Sequence, residues 1–337
     1  MKVIYLNRRI NDTPKFRRII GNFSPRYIGP TSEAFFCGSL HTAFDVTETS
    51  INDVLGKRKN DYIDNEIIIV TVKAVDKSNY SSYLFKDIAQ NYKNKIKVLS
   101  VFNDQASNMP PDSILNYYDY VVKYMPYKDR DRYKISNINK EKIIPTILGF
   151  GGIYKNIFSG SYKIRKLKFN NANYKNDVFF SGKATNVSRE KYISAIKNNK
   201  IKFYGGLQDS KFIKIKSSNY FPRLKKYSFL EIINESKINL TINGIDDGFS
   251  FRHLDIFSSG GFCLCHSSIK ELDLLIDFKE NKHFSCFNNK IDLIEKINYY
   301  LKNDDLREKI ALEANIKFKS EYNFKKHGSW LNKRFTS

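Results

Sequence analysis

The chain alternates between short apolar runs and longer segments in which apolar residues recur at helical spacing. Five segments of the first half are β-branched or apolar runs bounded by polar turns, as strands are: KVIYL near the start, EIIIVTV (66–72), KIKVLSVF (95–102), YDYVVKY (118–124) and KIIPTIL (142–148). Between two of them, Leu84, Ile88 and Tyr92 share one face of a predicted helix. This alternation predicts a parallel sheet with helices on both faces, and such sheets bind ligands beyond the carboxyl ends of their strands.

The second half repeats the pattern after a break. Residues 149–176 are rich in glycine, asparagine and lysine, and we place a domain junction there. Four strands are predicted beyond it: DVFFSG (177–182), KIKFYGG (200–206), KINLTING (237–244) and GFCLCH (261–266). A helix is predicted from Ser188 to Lys197. The sequence therefore predicts an α/β protein made of two Rossmann-like, doubly wound domains that face each other across a cleft.

We divide the chain into three parts. Residues 1–160 form the first predicted domain and residues 161–320 the second. Residues 321–337 form a last helix, in which Phe324, Trp330 and Leu331 indicate that it docks back onto the body of the protein, toward the first domain. Two domains are also what a length of 337 residues leads us to expect.

The composition is that of a packed protein, because 41% of the residues are hydrophobic and 15% are aromatic. The longest apolar runs, such as Ile67 to Val70, fall far short of the roughly 20 residues that a membrane-spanning helix needs. The N-terminal segment lacks the apolar centre of a signal peptide. We therefore expect a cytoplasmic protein.

The formal net charge of +22 suits a partner that is a polyanion, such as nucleic acid, anionic lipid or a phosphorylated small molecule. Lysine is nevertheless spread along the whole chain together with abundant asparagine and isoleucine, and no arginine-rich tail or zinc-finger spacing concentrates the charge. A basic surface that faces only solvent is the alternative interpretation.

Four cysteines, Cys37, Cys263, Cys265 and Cys286, show no paired spacing of the zinc type. Cys263 and Cys265 alternate within an apolar, strand-like run. We interpret all four as reduced, buried thiols, with metal and disulfide roles as the alternatives.

One candidate site follows the strand DVFFSG. Gly182 opens a polar loop that leads into a helix, with Ser188 as the predicted N-cap, and the first turn of a helix offers free N–H groups and a positive dipole to an anion. Lys183 and Arg189 add mobile positive charge at the same place. An ordinary loop with solvated cations explains this spacing equally well.

A second candidate site lies in DDGFSFRHLDIFSSGGFCL, residues 246–264. Asp247 or Ser250 caps a short predicted helix, on which Arg252 and Asp255 lie three positions apart and can reach a common ligand. Gly260 and the glycine after it end that helix. The alternative is a surface ion pair, although a position beyond the carboxyl end of a strand favours a ligand site.

This second half resembles the donor-binding domain of GT-B glycosyltransferases of the group 1 and spore-maturation-protein type. The hallmark of that family is a pair of acidic residues with seven residues between them, which Asp247 and Asp255 provide, followed by a glycine, here Gly260. Lys183 and Arg189 resemble the basic pair that meets the donor diphosphate. The likeness covers roughly residues 177–330 and departs from the family in one respect, because both acids are aspartate where glutamate is usual.

The resemblance implies a role for each of these residues. Asp255 would accept hydrogen bonds from the ribose of a nucleotide sugar, and Asp247 would lie nearer the sugar. Arg252, together with the basic pair, would neutralise the diphosphate as the sugar leaves. Ser250, Gly182 and Gly260 complete the predicted donor site. Enzymes of this fold generally need no bound metal, and we expect no cofactor besides the nucleotide-sugar co-substrate.

The acceptor is expected to bind to the first domain. Asp104, just after the strand KIKVLSVF, and His41 are the candidate catalytic bases if the reaction inverts the anomeric centre, and neither is needed if it retains the configuration. The basic and aromatic segment YFPRLKKYSF (220–229) could contact an anionic acceptor or a lipid head group, or could lead into an amphipathic helix.

The leading hypothesis is a cytoplasmic glycosyltransferase that works at the inner face of the membrane. It would move a sugar from a nucleotide donor to a glycan or a lipid-linked saccharide, in the synthesis of cell-surface polysaccharide or lipopolysaccharide, without a nucleic-acid partner. A nucleic-acid- or polyanion-binding protein that uses the basic surface is the alternative. A dinucleotide-dependent oxidoreductase is a third hypothesis, weakened because no GxGxxG follows any predicted strand.

Overall fold

The computed structural model describes residues 1–6, 31–56, 59–62, 64–72, 83–102, 106–147, 153–155, 162–164, 174–184, 187–208, 226–243 and 249–337. The chain divides into two compact units. Unit 1 consists of Met1–Arg165, Asp273–Leu275 and Asn323–Ser337, and unit 2 of Lys166–Leu272 and Ile276–Tyr322.

Unit 1 is built on a parallel sheet of six strands in the order β2-β1-β3-β4-β5-β6. Its strands are β1 (Lys2–Leu6), β2 (Asp45–Thr49), β3 (Ile67–Thr71), β4 (Ile96–Val101), β5 (Tyr120–Tyr124) and β6 (Ile143–Thr146). A separate antiparallel pair is formed by β7 (Ile153–Lys155) and β8 (Tyr162–Ile164). The helices of the unit are α1 (Thr31–Ala43), α2 (Ile51–Leu55), α3 (Leu84–Asn91), α4 (Asp112–Leu115), α5 (Asn137–Glu141) and, at the end of the sequence, α11 (Phe324–Thr336).

Unit 2 is built on a parallel sheet of five strands in the order β10-β9-β11-β12-β13. The strands are β9 (Asn176–Lys183), β10 (Phe203–Gln208), β11 (Ser236–Thr241), β12 (Cys263–His266) and β13 (Ser285–Phe287). The helices are α6 (Val187–Asn198), α7 (Lys226–Asn234), α8 (Phe251–Ser259), α9 (Lys290–Lys302) and α10 (Asp304–Glu321).

The central strands are continuous apolar runs because both faces of each sheet are covered. In β3, all residues from Ile67 to Val70 are fully buried, as expected of a strand with helices on both sides. In unit 2, one face of the sheet packs into an apolar core that includes Phe180, Leu240, Leu264 and Ile297. The α/β class with two doubly wound parallel sheets, predicted from the alternation of strands and helices, is thereby confirmed.

The strand order of unit 2 fixes where a ligand can bind. The chain passes from β9 outward to β10, then returns to β11 on the other side of β9. The order therefore reverses between β9 and β11, and in open parallel sheets the crevice beyond the carboxyl ends of such a strand pair is the usual ligand site. Lys183 ends β9 there, and Thr241 ends β11.

The last helix, α11, belongs to the packing of unit 1. His327 of this helix is buried between two other elements, with Nδ1 at 3.0 Å from Ser39 Oγ of α1 and Nε2 at 3.1 Å from Thr146 Oγ1 of β6. Burial lowers the pKa of His327 to about 3, so the ring is neutral. The sequence predicted from Phe324, Trp330 and Leu331 that this helix docks through apolar side chains. A buried histidine, His327, contributes to its packing as well.

Among the described residues, four strands are missing from the pattern found in the sequence: β2, β13, β7 and β8. β2 and β13 each lie at an edge of their sheet, and β2 has the polar sequence DVTET while β13 is only three residues long. β7 and β8, also three residues each, fall within the predicted junction 149–176. The four cysteines are buried and form no disulfide. No helix in the described part of the chain is long and apolar enough to cross a bilayer.

Candidate functional site

The first turn of α8 is held by a capping box. Ser250 is the N-cap, in extended backbone conformation, and its N–H donates to Nδ1 of His253 at 3.0 Å. Because Nδ1 accepts this bond, the ring proton resides on Nε2, which donates to Thr241 Oγ1 at 2.7 Å. Burial and the neighbouring Arg252 lower the pKa of His253 to about 3. A neutral histidine therefore ties the start of α8 to the end of β11.

Arg252 extends from this first turn over the end of β9. Its Nη2 donates to the Ser181 carbonyl at 2.5 Å, and the guanidinium carbon lies 4.9 Å from the centre of the Phe180 ring. Its Nε is buried and has no hydrogen-bond partner within the described part of the protein. Arg252 thus has one buried hydrogen-bond donor that the described residues leave unsatisfied.

Gly182 is the residue over which Arg252 lies. A Cβ at this position would come within 2.9 Å of Arg252 Nη2 and of the Phe180 ring. The absence of a side chain therefore allows the guanidinium to approach the backbone of β9. The sequence placed Gly182 in the site as part of a turn, and the structure puts it within the last residues of a strand.

Arg189, in the first turn of α6, bridges the two strands at the switch point. Its Nη1 donates to the Lys183 carbonyl at 2.6 Å, and its Nη2 and Nε donate to the carbonyls of Ile242 at 2.8 Å and Asn243 at 2.8 Å. The residue is only 7% exposed. The sequence predicted a mobile cation here, whereas the side chain is fixed by backbone carbonyls just beyond the strand ends.

Two guanidinium groups therefore share the switch point. Arg189 lies 5.8 Å from the centre of the Phe180 ring, to which Arg252 is also close. Burial lowers the pKa of Arg189 to about 9, and the charge of Arg252 lowers it further in the same direction. Burial likewise lowers the pKa of Arg252 to about 10, although the carboxylate of Asp255 opposes this change. Both cations are poorly solvated, so an anion bound between them would be strongly favoured.

Asp255 lies one turn after Arg252 on α8 and is 8% exposed. The spacing of three positions puts both side chains on one face of the helix, as the sequence predicted. Lys183, by contrast, is exposed at the end of β9, and only its carbonyl takes part in the contacts described above.

The remaining predicted site residues are dispersed. Gly260 ends α8 in left-handed conformation, with φ 72°, so its backbone explains why a glycine stands there. His41 lies in the last turn of α1 in unit 1 and pairs with Glu48 of the edge strand β2. Asp104 and Asp247 lie outside the described residues, as does most of the segment 220–229.

Sequence reasoning missed three residues that build this site. Phe180 presents its ring to both guanidinium groups, Ser181 supplies the carbonyl that Arg252 binds, and His253 caps α8. The sequence did contain a signal for His253, because a polar residue three positions after an N-cap serine is the pattern of a capping box.

The comparisons with known proteins agree with this fold. Residues 189–327 match the family model described as "Glycosyl transferase-like", a span that includes Arg189, Arg252 and Asp255. A search of curated protein sequences finds no match.

Several solved structures have the same fold. A DNA modifying enzyme, β-glucosyltransferase, solved with and without uridine diphosphoglucose, is 13% identical over 100% of both chains, with a TM-score of 0.58. T4 phage BGT in complex with UDP-glucose is 15% identical over 99% of both chains, with a TM-score of 0.54. HepE of Anabaena in complex with UDP-glucose is 9% identical, over 100% of this chain and 99% of that one, with a TM-score of 0.55.

These identities support a shared fold, and the family match covers the part of the sequence that contains both arginines. The predicted recognition and enzyme class are confirmed. The chain carries a glycosyl transferase-like domain over residues 189–327, and it has the GT-B fold of these solved glycosyltransferases.

Proposed function

We propose that unit 2 binds a nucleoside-diphosphate sugar, with a UDP-linked sugar as the first candidate, and that the enzyme transfers the sugar to a saccharide acceptor. The observation that carries this proposal is the pair of poorly solvated guanidinium groups, Arg189 and Arg252, which lie 5.8 and 4.9 Å from the centre of the Phe180 ring at the switch point. Two desolvated positive charges suit the two phosphates of such a donor. The solved relatives with UDP-glucose support the choice of nucleotide.

In this reaction the site must stabilise the leaving group, which is the nucleoside diphosphate. In the transfer, the bond between the anomeric carbon and the phosphate oxygen breaks, and its electron pair leaves with the diphosphate. Arg252, whose Nε has no partner among the described residues, is assigned to donate to the phosphate oxygens as this charge develops. Arg189 acts through its fixed positive charge, because each of its three nitrogens already donates to a backbone carbonyl. This division of roles differs from the mobile basic pair that the sequence suggested.

The other predicted roles complete the proposal. Asp255 accepts hydrogen bonds from the ribose hydroxyls, and Asp247 is assigned a contact with the sugar, as the family resemblance implies. Asp104 takes the acceptor proton if the reaction inverts the anomeric centre. We do not retain His41 as a base, because it pairs with Glu48 at the outer edge of the unit 1 sheet.

Donor binding is tested by thermal shift with nucleoside mono- and diphosphates of each base. A nucleotide that binds only the folded protein must raise the melting temperature. We expect diphosphates to exceed monophosphates, with UDP giving the largest rise. The matched control is Lys197→Met, which removes an exposed cation of α6 while leaving both arginines intact. Absence of a rise with every nucleotide would refute the donor site.

We also propose that no metal ion is needed for transfer, since the two guanidinium groups supply the positive charge that a metal would otherwise bring. Hydrolysis of the UDP-sugar, or its transfer to an acceptor, should then continue at full rate after treatment with a chelator. A rate that falls with the chelator and returns with Mn²⁺ or Mg²⁺ would contradict this part of the proposal.

The acceptor is proposed to be a glycan or a lipid-linked saccharide at the inner face of the membrane, in the synthesis of cell-surface polysaccharide or lipopolysaccharide. DNA is the second candidate, favoured by the net charge of +22 and by the fold shared with a DNA modifying β-glucosyltransferase. Incubation with a labelled UDP-sugar and either duplex DNA or a lipid-linked saccharide separates the two. Label in the DNA would overturn our expectation that nucleic acid is not a partner.

A further inference from the structure

A group of three metal-ligand types lies in unit 1, apart from the proposed donor residues. Cys37 and His41 stand four positions apart on α1 and so share a face of that helix, and Glu48 lies on the neighbouring strand β2. A ligand atom of each residue lies within 4.8 Å of the other two. The nearest pair is His41 Nε2 and Glu48 Oε1, which are 3.1 Å apart.

Both elements that carry these residues are fixed by neighbours. β2 pairs along its whole length with β1, and Glu48 stands opposite Tyr5. α1 is held by α11, through Thr42 Oγ1, which donates to the Phe324 carbonyl at 3.1 Å, and through the bond between Ser39 and His327. The three side chains are therefore presented from a rigid scaffold.

A second acidic side chain lies on the same helix face as the thiol. Glu33 stands four positions before Cys37 on α1 and is 4% exposed. Its carboxylate would add negative charge near a cation held by the three ligands.

We propose that Cys37, His41 and Glu48 form a binding site for one divalent cation of the zinc class. Thiolate, imidazole and carboxylate are the three protein ligands that zinc takes, at about 2.3, 2.0 and 2.1 Å. In tetrahedral geometry such bonds put nitrogen and oxygen ligands about 3.3 Å from each other and sulfur about 3.6 Å from either. The contact between His41 and Glu48 already fits, and the thiol needs to move inward by roughly 1 Å at most.

The exposure of the three side chains leaves a path for the ion. The His41 side chain is 36% exposed and that of Glu48 is 13% exposed, whereas Cys37 is buried beneath them. On binding, the S–H bond of Cys37 breaks, its proton passes to solvent, and a sulfur–metal bond forms. The thiolate and the carboxylate then balance the charge of the ion, and the solvent side remains open for a fourth ligand.

A second group of this kind, His253 with Cys263 and Cys265 in unit 2, does not support a metal site. Nδ1 of His253 accepts the Ser250 N–H, and Nε2 keeps the proton that it donates to Thr241. A metal on Nε2 would force loss of that proton and leave an imidazolate, unless the cap of α8 were broken. The two cysteines are buried thiols and provide a control for the test.

The experiment is a titration of the full-length, chelator-treated protein with Co²⁺, which replaces zinc and absorbs strongly when a thiolate binds it. We expect one Co²⁺ per chain, with thiolate-to-cobalt charge-transfer absorption, and displacement of cobalt by Zn²⁺. Each of Cys37→Ser, His41→Asn and Glu48→Gln should weaken binding by at least about 100-fold, since loss of a direct ligand exceeds the 10–100-fold effect of its supporting residues. Cys265→Ser should bind as the unaltered chain does.

His41→Asn is the decisive variant, because the exposed side chain can be replaced without opening the core. Retention of the charge-transfer absorption in this variant would overturn the proposal, as would binding that is lost in Cys265→Ser but kept in Cys37→Ser. No cobalt absorption in the unaltered protein would overturn it as well. The readout involves no nucleotide, so failure here leaves the proposed transferase reaction untouched.

Discussion

Replacement of Arg252 by methionine should separate the stability of unit 2 from donor binding. Methionine keeps much of the length of the side chain, removes its charge and leaves Gly182 and Phe180 in place. In the unliganded protein, loss of the poorly solvated charge stabilises unit 2, whereas loss of the hydrogen bond to Ser181 destabilises it. The affinity for a diphosphate, by contrast, can only fall.

The stability change is expected to be small. The fall in the Arg252 pKa from 12.5 to about 10 corresponds to about 3 kcal/mol of disfavoured charge, and partial exposure of the side chain reduces this to about 1–2 kcal/mol. Loss of the bond to the Ser181 carbonyl costs about 1–2 kcal/mol in the other direction. We therefore expect the melting temperature of Arg252→Met to stay within about 4 °C of the unaltered protein.

Donor binding should fall much more. A charge-assisted contact to a phosphate contributes about 2 kcal/mol, which is roughly 30-fold in Kd. At a UDP concentration about 100 times the Kd of the unaltered protein, binding stabilises by about 2.7 kcal/mol. The variant, at about 3 times its own Kd, would gain only about 0.9 kcal/mol.

The assay is thermal unfolding with and without UDP. At about 3 °C per kcal/mol, the shift caused by UDP should fall from about 8 °C to about 3 °C in Arg252→Met. Lys197→Met, which removes an exposed charge, should keep the full shift. An unchanged shift in Arg252→Met would refute the assignment of this arginine to the diphosphate. A drop of more than about 10 °C without nucleotide would show instead that its main role is structural.

Three further predictions concern the neighbours of this arginine. Gly182→Ala should weaken UDP binding about 10-fold or more without unfolding unit 2, because the new methyl group displaces the Arg252 guanidinium; isothermal titration that gives an unchanged Kd would contradict this. The pKa of His253 is about 3 in the folded state against about 6.5 when unfolded, so only the unfolded chain binds this proton between those values. His253 should therefore lower the stability by about 1.4 kcal/mol per pH unit from pH 6.5 toward 3, in addition to an equal contribution from His327, and urea unfolding should find the slope reduced by one proton in His253→Asn. Gly260→Ala should destabilise unit 2 by about 1 kcal/mol, because its φ of 72° is unfavourable for alanine, and an equal or higher urea midpoint would argue against that cause.

The sequence predicted the central strands well because their burial is a local property of the chain. The run from Ile67 to Val70 is apolar throughout and Tyr120–Tyr124 is apolar except for the buried Lys123, since helices cover both faces of the sheet. The strand Asp45–Thr49 has a neighbouring strand on one side only, and its sequence is polar. It therefore contains no apolar run from which a strand could be predicted. The strand at 285–287 is too short to produce a period.

The candidate site was predictable only where it depends on neighbouring positions in sequence. The spacing of Arg252 and Asp255 on one helix follows from the period of the helix alone. The burial of Arg189 depends on the carbonyls of Ile242 and Asn243, which lie more than 50 residues away and meet it only once β11 has paired with β9. The sequence pattern around Arg189 contains no information about these distant contacts. We therefore interpreted the Arg189 guanidinium as mobile, whereas it is fixed.

The discontinuity of unit 1 has a consequence for how the protein is made. Unit 2 is complete once Tyr322 has been synthesised, but unit 1 still lacks α11, whose Phe335 packs on Phe44 and Tyr120 and whose His327 joins α1 to β6. On the ribosome, where domains generally fold as they emerge, the half that is translated first is therefore the half that finishes last. Until those closing residues appear, the nascent chain exposes Phe35 of α1, which later packs on Phe324 and His327, and we expect a chaperone to bind there.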